Sequence, residues 1–184
     1  MRLIRTVATI AVALAVGLLL VLPDDGWAQE KRKIAWTAPA PHSKYTQRHT
    51  IDVGDVPGHQ VRIVEIHQTY PGGAPVFDGV RVVEDWFRGY SDYTNVNGHA
   101  WGYGQYVLEN GDKIFARWES VNQAVVAPDG SKKTSGAAVG TLRGGTGRFR
   151  GIRGTLRATN VFNPREGWIE RQYDPALIWR QRVE

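Results

Sequence analysis

The sequence predicts an all-β protein. Turn signals recur along the chain, and the runs between them, roughly eight to twelve residues each, are rich in β-branched and aromatic residues. No segment carries a sustained apolar stripe at helical spacing, so no long helix is expected. Seven tryptophans and seven tyrosines among 184 residues are typical of β-barrel cores or of cavities that hold rings. This pattern favours a barrel or a sandwich, and with about eight strands the closed barrel is attractive because closure removes both sheet edges.

Residues 1–28 have the layout of a secretory signal peptide. The basic start Met1–Arg5 precedes the uncharged apolar run Thr6–Leu22, and Gly26 and Ala28 place small residues before a cleavage site. The alternative is an uncleaved anchor, because the apolar run is just short of the roughly 20 residues that span a bilayer. We favour cleavage, which predicts an exported protein, periplasmic or secreted, with no stable membrane span afterwards.

The composition limits which partners and which metal or disulfide sites the sequence predicts. The net charge of +5 is spread along the chain, and a signal peptide argues against nucleic acid as a partner. The chain has no cysteine, so neither a disulfide nor a lipid-modified N-terminal cysteine is available. The five histidines have neither HxH nor HExxH spacing. We expect no metal site and no cofactor.

The mature chain divides into an extended lead-in, residues 29–50, and one β-barrel domain, residues 51–184. The lead-in has little periodicity apart from one short candidate strand at Lys33–Trp36. About 155 residues after cleavage suit a single domain.

Turn chemistry predicts three hairpins in the barrel domain. The first turns at Glu109–Asp112, where Asn-Gly tolerates the positive φ of a tight turn. The second turns around Asp129-Gly130. The third pairs residues 167–173 with residues 176–181.

A glycine-rich stretch, Leu142–Gly154, holds five glycines and leads directly into an alternating strand. Glycine serves where φ must be positive or where two backbones approach closely. The stretch lacks the Gly-Lys-Ser/Thr ending and the following helix of a phosphate loop. It is predicted to be a sharp corner between two strands.

This corner resembles that of the allene oxide cyclase and dirigent β-barrels. The similarity rests on GGTGRFRGIRG at Gly144–Gly154 and on the hairpin from Gly104 to Arg117, and it extends over roughly residues 60 to 162. The resemblance implies an eight-stranded antiparallel barrel, commonly a trimer, whose interior binds a reactive hydrophobic intermediate. We expect a bacterial, exported member of this group.

Three residues are candidates for acid–base catalysis. Glu65 and His67 are two positions apart on one strand and therefore share a face, and Glu84 shares a face with Trp86 on another. If these faces line the lumen, burial would shift their pKa values towards general acid–base work. The alternative is that the same faces point to solvent.

Six aromatic residues are candidates for a ligand pocket, with core packing as the alternative for each: Trp86, Tyr90, Trp101, Tyr103, Tyr106 and Trp118.

The first functional hypothesis is that an exported barrel binds a small hydrophobic or aromatic molecule, with no catalysis. The second is a cofactor-free isomerase or cyclase of the allene oxide cyclase kind. The third is an oligomeric scaffold at the cell envelope. Apolar residues on both faces of the central strands predict a homo-oligomer, and the resemblance favours a trimer.

Overall fold

The computed structural model of this protein describes residues 32–126, 132–163 and 166–180. These residues form one antiparallel sheet of ten strands. In chain order the strands are β1 (Arg32–Ala38), β2 (Ser43–Asp52), β3 (His59–Thr69), β4 (Val76–Phe77), β5 (Val80–Thr94), β6 (Asn97–Leu108), β7 (Lys113–Val126), β8 (Lys132–Gly145), β9 (Ile152–Asn163) and β10 (Trp168–Arg180). Single 3-10 turns lie at Ala40–His42 and Gly147–Phe149. The all-β prediction is confirmed.

Most strands that are neighbours in the sheet are also consecutive in the chain. Its strand order is β1-β10-β9-β8-β7-β6-β5-β3-β2, and β4 pairs with β5 off this path. The sheet rolls until β10 lies beside β2, so its inner face encloses a lumen.

The prediction of a closed eight-stranded barrel is wrong in strand number and in closure. Among the described residues no hydrogen-bonded ladder joins β2 to β1 or β10, so the path keeps two ends. Both end strands come from residues 32–52, largely the segment treated above as a lead-in. The short connection Pro39–His42 sends β1 to pair with β10 and β2 to pair with β3. Beyond Ser43, β2 is exposed along most of its length, as expected of an edge strand.

One half of the lumen is filled by a hydrophobic core. Its largest fully buried side chains include Phe77, Leu142, Phe149 and Leu156. Trp36 closes this half by stacking on Tyr173, with ring centroids 3.9 Å apart. Each such side chain contributes about 1.5–3 kcal/mol by leaving water, and together they make this half the stable base of the sheet.

The glycine-rich corner forms as predicted. β8 ends at Gly145, a 3-10 turn follows, and β9 begins at Ile152. Gly144 and Gly147 have φ values of 134° and 47°, which side chains disfavour. The hairpin at Glu109–Asp112 is also confirmed, with Gly111 at φ 83°.

Two other hairpin predictions have different outcomes. β7 and β8 pair as expected, but the turn around Asp129-Gly130 lies outside the described residues. The third hairpin is wrong, because Trp168–Arg180 is one strand. Its pairing with β9 shifts between Tyr173 and Leu177. This irregularity accommodates Pro175, which has no N–H for a ladder. Within the described ranges no helix is long and apolar enough to cross a bilayer.

Candidate functional site

The other half of the lumen contains a cavity of about 90 Å³. It exists because small residues occupy inward positions on the neighbouring strands β6 to β9. The small residues bordering it are Ala100, Gly104, Ser120, Ala138 and Ala158. Ala138 and Ala158 are direct partners across β8 and β9. With so little side-chain volume on one wall, residues from the opposite wall do not fill the space.

Aromatic side chains frame this cavity. Phe87, Tyr106, Trp118, Phe162 and Tyr173 all border it. The indole of Trp118 packs edge-on against Tyr173, with ring centroids 5.8 Å apart. Such a surface suits the faces and edges of an apolar or ring-containing molecule.

Trp118 takes its position because two glycines leave room for it. A Cβ on Gly140 of β8 would lie 2.7 Å from three atoms of the indole ring, and a Cβ on Gly104 of β6 would lie 2.9 Å from its Nε1. The indole therefore lies between two neighbouring strands that carry no side chain there.

A buried polar network lies where the cavity meets the packed core. The Tyr70 hydroxyl donates to Asp85 at 2.5 Å, and Arg171 lies 3.8 Å from the other Asp85 oxygen. Arg171 also donates to Tyr173, which hydrogen-bonds to Tyr106. The network joins β5, β6 and β10, so it ties together opposite walls of the lumen.

Burial governs protonation in this network. It raises the pKa of the Asp85 carboxyl above its ordinary value, an effect that Arg171 and Tyr70 partly oppose. Burial also raises the pKa of Tyr106 well above its usual range and that of Tyr173 to about 12. The tyrosines therefore stay neutral and act as hydrogen-bond donors at neutral pH.

A second polar group, here called the polar end, consists of Arg62, Tyr93, Asn122 and Asn160, all of which border the cavity. The Asn122 amide donates to the Tyr93 hydroxyl at 2.8 Å and to Ser120 Oγ at 2.9 Å. The Arg62 guanidinium lies 5.9 Å from the centroid of the Tyr93 ring. Three buried atoms here, Arg62 Nε, Asn122 Oδ1 and Asn160 Oδ1, have no hydrogen-bond partner among the residues that the structure describes.

The predicted catalytic residues lie on the outer face of the sheet. Glu65 accepts from Arg88 Nε at 2.7 Å and from Thr46 at 2.6 Å. The hydrogen bond from Thr46, followed by that from Arg88, lowers the pKa of Glu65 despite an opposing effect of burial. Glu65 is thus held as an ordinary ionised carboxylate away from the cavity.

His67 and Glu84 form a pair on the same outer face. His67 Nε2 lies 2.7 Å from a Glu84 oxygen, and its ring stacks on Trp86 with centroids 4.0 Å apart. Burial would raise the pKa of Glu84, but hydrogen bonds from Trp86 and His67 outweigh it and lower the value. The structure therefore brings together all three predicted residues, Glu65, His67 and Glu84, on two neighbouring strands, but outside the lumen.

A β-bulge places Glu84 outside. The pairing of β5 with β6 shifts between Val82 and Glu84. As a result, the next inward-facing side chain after Val82 is Asp85, and Glu84 points outward. Strict alternation from Val80 would place Glu84 on the same face as Val82, but one extra residue at the bulge exchanges the two faces of every later residue in the strand.

The six predicted aromatic residues divide into two groups. Tyr106 and Trp118 border the cavity. Trp86 also borders it, but its ring stacks on His67 on the outer face. Tyr90, Trp101 and Tyr103 are exposed on the outer face, where Tyr90 and Trp101 stack with centroids 5.9 Å apart.

Asp85, Arg171 and the residues of the polar end were not among the sequence-predicted site residues. The sequence pattern around Arg62 could have indicated its role. Arg62 shares a strand face with Val64, Ile66 and Gln68, so it is a charged residue on a largely apolar face. Arg171 carries the same signal between Ile169 and Tyr173.

Within the part of the chain that the structure describes, no group of three or more His, Cys, Asp or Glu side chains is placed to hold a metal ion.

Comparison with known proteins gives limited results. No family model matches the chain, and no curated protein matches it. Among solved structures, the chain is similar to a pterocarpan synthase dirigent protein, with 14% sequence identity and a TM-score of 0.42 over 85% of this chain and 87% of that one. Function must therefore be argued from this chain's own residues.

Proposed function

We propose that this protein binds a small hydrophobic or aromatic molecule inside its rolled sheet. The observation that carries the proposal is the cavity itself: aromatic rings frame it, small residues keep it open, and a few buried polar groups border it. This combination of apolar walls and sparse polar groups is typical of ligand sites. A scaffold with no ligand would need only a packed lumen.

The volume limits the size of the ligand. An engineered apolar cavity of about 150 Å³ holds benzene, so a cavity of about 90 Å³ encloses at most a single ring or a short alkyl chain. A larger molecule would need the cavity to expand, or would keep part of its body outside.

Tryptophan fluorescence tests the proposal, because the indole of Trp118 borders the cavity. The purified protein is titrated with neutral phenolics, terpenoids and short-chain lipids, and its thermal unfolding is followed in parallel. We expect a saturable change in fluorescence and a rise in Tm with at least one compound. Absence of both across the panel would contradict lumen binding.

A matched pair of variants locates the binding. Ala138→Leu adds volume inside the cavity, whereas Ala137→Leu adds the same volume on the exposed outer face of the same strand. Ala138→Leu is expected to abolish the response and Ala137→Leu to preserve it. Equal responses from both variants would place the ligand elsewhere.

A second candidate function is a cofactor-free isomerase or cyclase. The observation favouring it is that Asp85 borders the cavity and that burial raises its pKa, which suits a carboxyl group that donates a proton. Product analysis on unstable epoxide or polyene substrates tests this function. Asp85→Asn should remove turnover while binding persists, and Glu65→Gln on the outer face should not. Full turnover by Asp85→Asn would exclude the role.

A further inference from the structure

Among the described residues no acidic side chain pairs with Arg62 at the polar end of the cavity, and we propose that this end binds the carboxylate group of a small organic acid. The inference rests on the proposed function, because it assigns a chemical class to the ligand of the same cavity.

Among the charged residues that border the cavity, arginines outnumber acidic residues by three to two. Arg48, Arg62 and Arg171 border it, against the acidic residues Asp85 and Glu119. Asp85 is engaged with Arg171. The Glu119 carboxylate is two-thirds exposed and pairs with Arg117 at 3.2 Å, so it does not neutralise the interior. Among the described residues, the Arg62 guanidinium at the polar end therefore keeps its positive charge without an acidic partner.

Arg62 is the centre of this charge. Its Nη2 donates to Gln60 at 2.7 Å, and its guanidinium lies over the ring of Tyr93. Both partners are neutral, and its buried Nε has none. Among the described residues Arg62 forms no ion pair. A buried cationic donor without an acceptor costs free energy, and a carboxylate oxygen would supply the missing acceptor through a charge-assisted hydrogen bond.

Tyr45 shows that the arginine charges converge on one place. Its hydroxyl is deeply buried, and burial raises its pKa. The charges of Arg171, Arg62 and Arg48 act on this one group in the opposite direction. An anion beside Tyr45 would experience the same three positive charges, together with a phenol that stays protonated and can donate.

The two asparagines can adapt to an anion. Asn122 Oδ1 and Asn160 Oδ1 lack partners, and a half-turn of an amide plane exchanges its acceptor for two donors. For Asn122, the hydroxyls of Tyr93 and Ser120 can then donate to Oδ1 instead of accepting from Nδ2, so no existing contact is lost. The ligand is thus an acid whose carboxylate faces Arg62 and whose apolar body lies against Ile66, Phe87 and Ala138.

Benzoate and benzamide test the inference, because they share size and shape and differ in charge. Isothermal titration calorimetry of the purified protein at pH 7 should give a Kd for benzoate about tenfold or more lower than that for benzamide. High salt should narrow the difference. Hexanoate and hexanamide repeat the comparison with a flexible body.

Variants assign the effect to Arg62. Arg62→Gln should weaken benzoate binding about tenfold and leave benzamide binding unchanged. Arg88→Gln, on the outer face beside Glu65, should alter neither. If Arg62→Gln does not fold, the wild-type comparison of charged and neutral ligands still decides. Equal affinities for benzoate and benzamide would overturn the carboxylate inference and leave lumen binding intact. Failure of both, together with the neutral panel above, would overturn the proposed function as well.

Discussion

Asp85 on β5 and Arg171 on β10 form a buried ion pair across the lumen, with 3.8 Å between Oδ1 and Nη1 and side chains 7% and 10% exposed. The two strands are not neighbours in the sheet. The pair therefore joins walls that no backbone ladder connects directly. Because the sheet is not closed by hydrogen bonds between its ends, side-chain contacts across the lumen help to hold its curvature.

Removing one member of this pair should be strongly destabilising. Arg171→Met leaves the Asp85 carboxylate buried without its counter-charge, which costs about 3–5 kcal/mol of unfolding free energy. Urea denaturation measures the loss. Arg157→Met, an exposed arginine on β9, is the control and should change stability by less than about 0.5 kcal/mol.

The double variant Asp85→Leu with Arg171→Met separates pairing from packing. Because neither charge remains buried, it should regain most of the stability lost in the single variant. A single Arg171→Met variant as stable as the Arg157→Met control would show that the pair contributes nothing.

Local turn chemistry and strand alternation allowed much of the fold to be predicted. The corner at Leu142–Gly154 and the hairpin at Glu109–Asp112 are set by glycine positions close in sequence, so they could be read directly. On β3, strict alternation separated Ile66 and Gln68 from Glu65 and His67, but it did not show which of the two faces turns inward.

The errors came from positions where alternation fails. At Val82–Asp85 two apolar residues precede two acidic ones, so the sequence holds no information on which acidic residue turns inward. The register shift near Pro175 also breaks the alternation within β10, so the sequence does not show that Trp168–Arg180 is one strand. The site depends on Asp85 and Arg171, both close to these irregularities, and on contacts between distant strands. For this reason the strands were easier to predict than the site.

Gly140 should be indispensable for the position of Trp118. In Gly140→Ala the new methyl group would overlap the indole, and such overpacking typically costs about 1–3 kcal/mol. Thermal unfolding should show the loss, and near-UV circular dichroism should show a displaced tryptophan. Gly72→Ala is the matched control, because a Cβ there meets nothing within 4 Å. Equal stabilities for the two variants would refute the steric argument.

His59 should make stability depend on pH. Its Nδ1 lies 2.6 Å from Asp55 and its Nε2 lies 2.8 Å from Asp92. These hydrogen bonds, that to Asp92 first, raise its pKa above the ordinary value of 6.5. A raised pKa in the folded state means that the stabilisation is complete below pH 6.5 and is lost as the pH rises through the folded value.

At acidic pH, the contribution of Asp55 to stability changes with pH in the opposite direction. The hydrogen bond from His59 lowers the pKa of Asp55 below 3.8, so its contribution is lost as the pH falls through that lower value. His59→Asn should therefore destabilise the protein most between about pH 4 and 6.5 and progressively less above neutrality. Denaturation across pH measures the difference, with the exposed His99→Asn as control. A destabilisation that does not vary with pH would rule out the ionic contribution.

We also predict export with cleavage after Ala28. The full-length chain, expressed in a bacterial host, should be found outside the cytoplasm with Gln29 as its first residue, as determined by N-terminal sequencing. Ala28→Tyr places a large residue at the −1 position and should block processing, whereas Gln29→Ala should not. Recovery of the intact N-terminus from exported wild-type protein would support the anchor alternative instead.

Assembly is the last prediction. Exposed apolar side chains cluster on the outer face of β3, β5, β6, β7 and β8, and this cluster, here called the outer band, consists of Ile63, Tyr90, Trp101, Val121 and Val139. Ile63, Tyr90 and Trp101 are in register, whereas on β7 the row contains Glu119, with Val121 two positions from it. Soluble monomers rarely expose large contiguous apolar patches, and closed cyclic symmetry is the usual way to cover one. We predict a homo-oligomer, with a trimer favoured, so light scattering at micromolar concentration should give about three times the mass of one chain. The double variant Ile63→Lys with Val139→Lys should dissociate it, while Ile51→Lys, equally exposed on β2 but outside the band, should not. A wild-type protein with the mass of one chain would show that the outer band is left open to solvent.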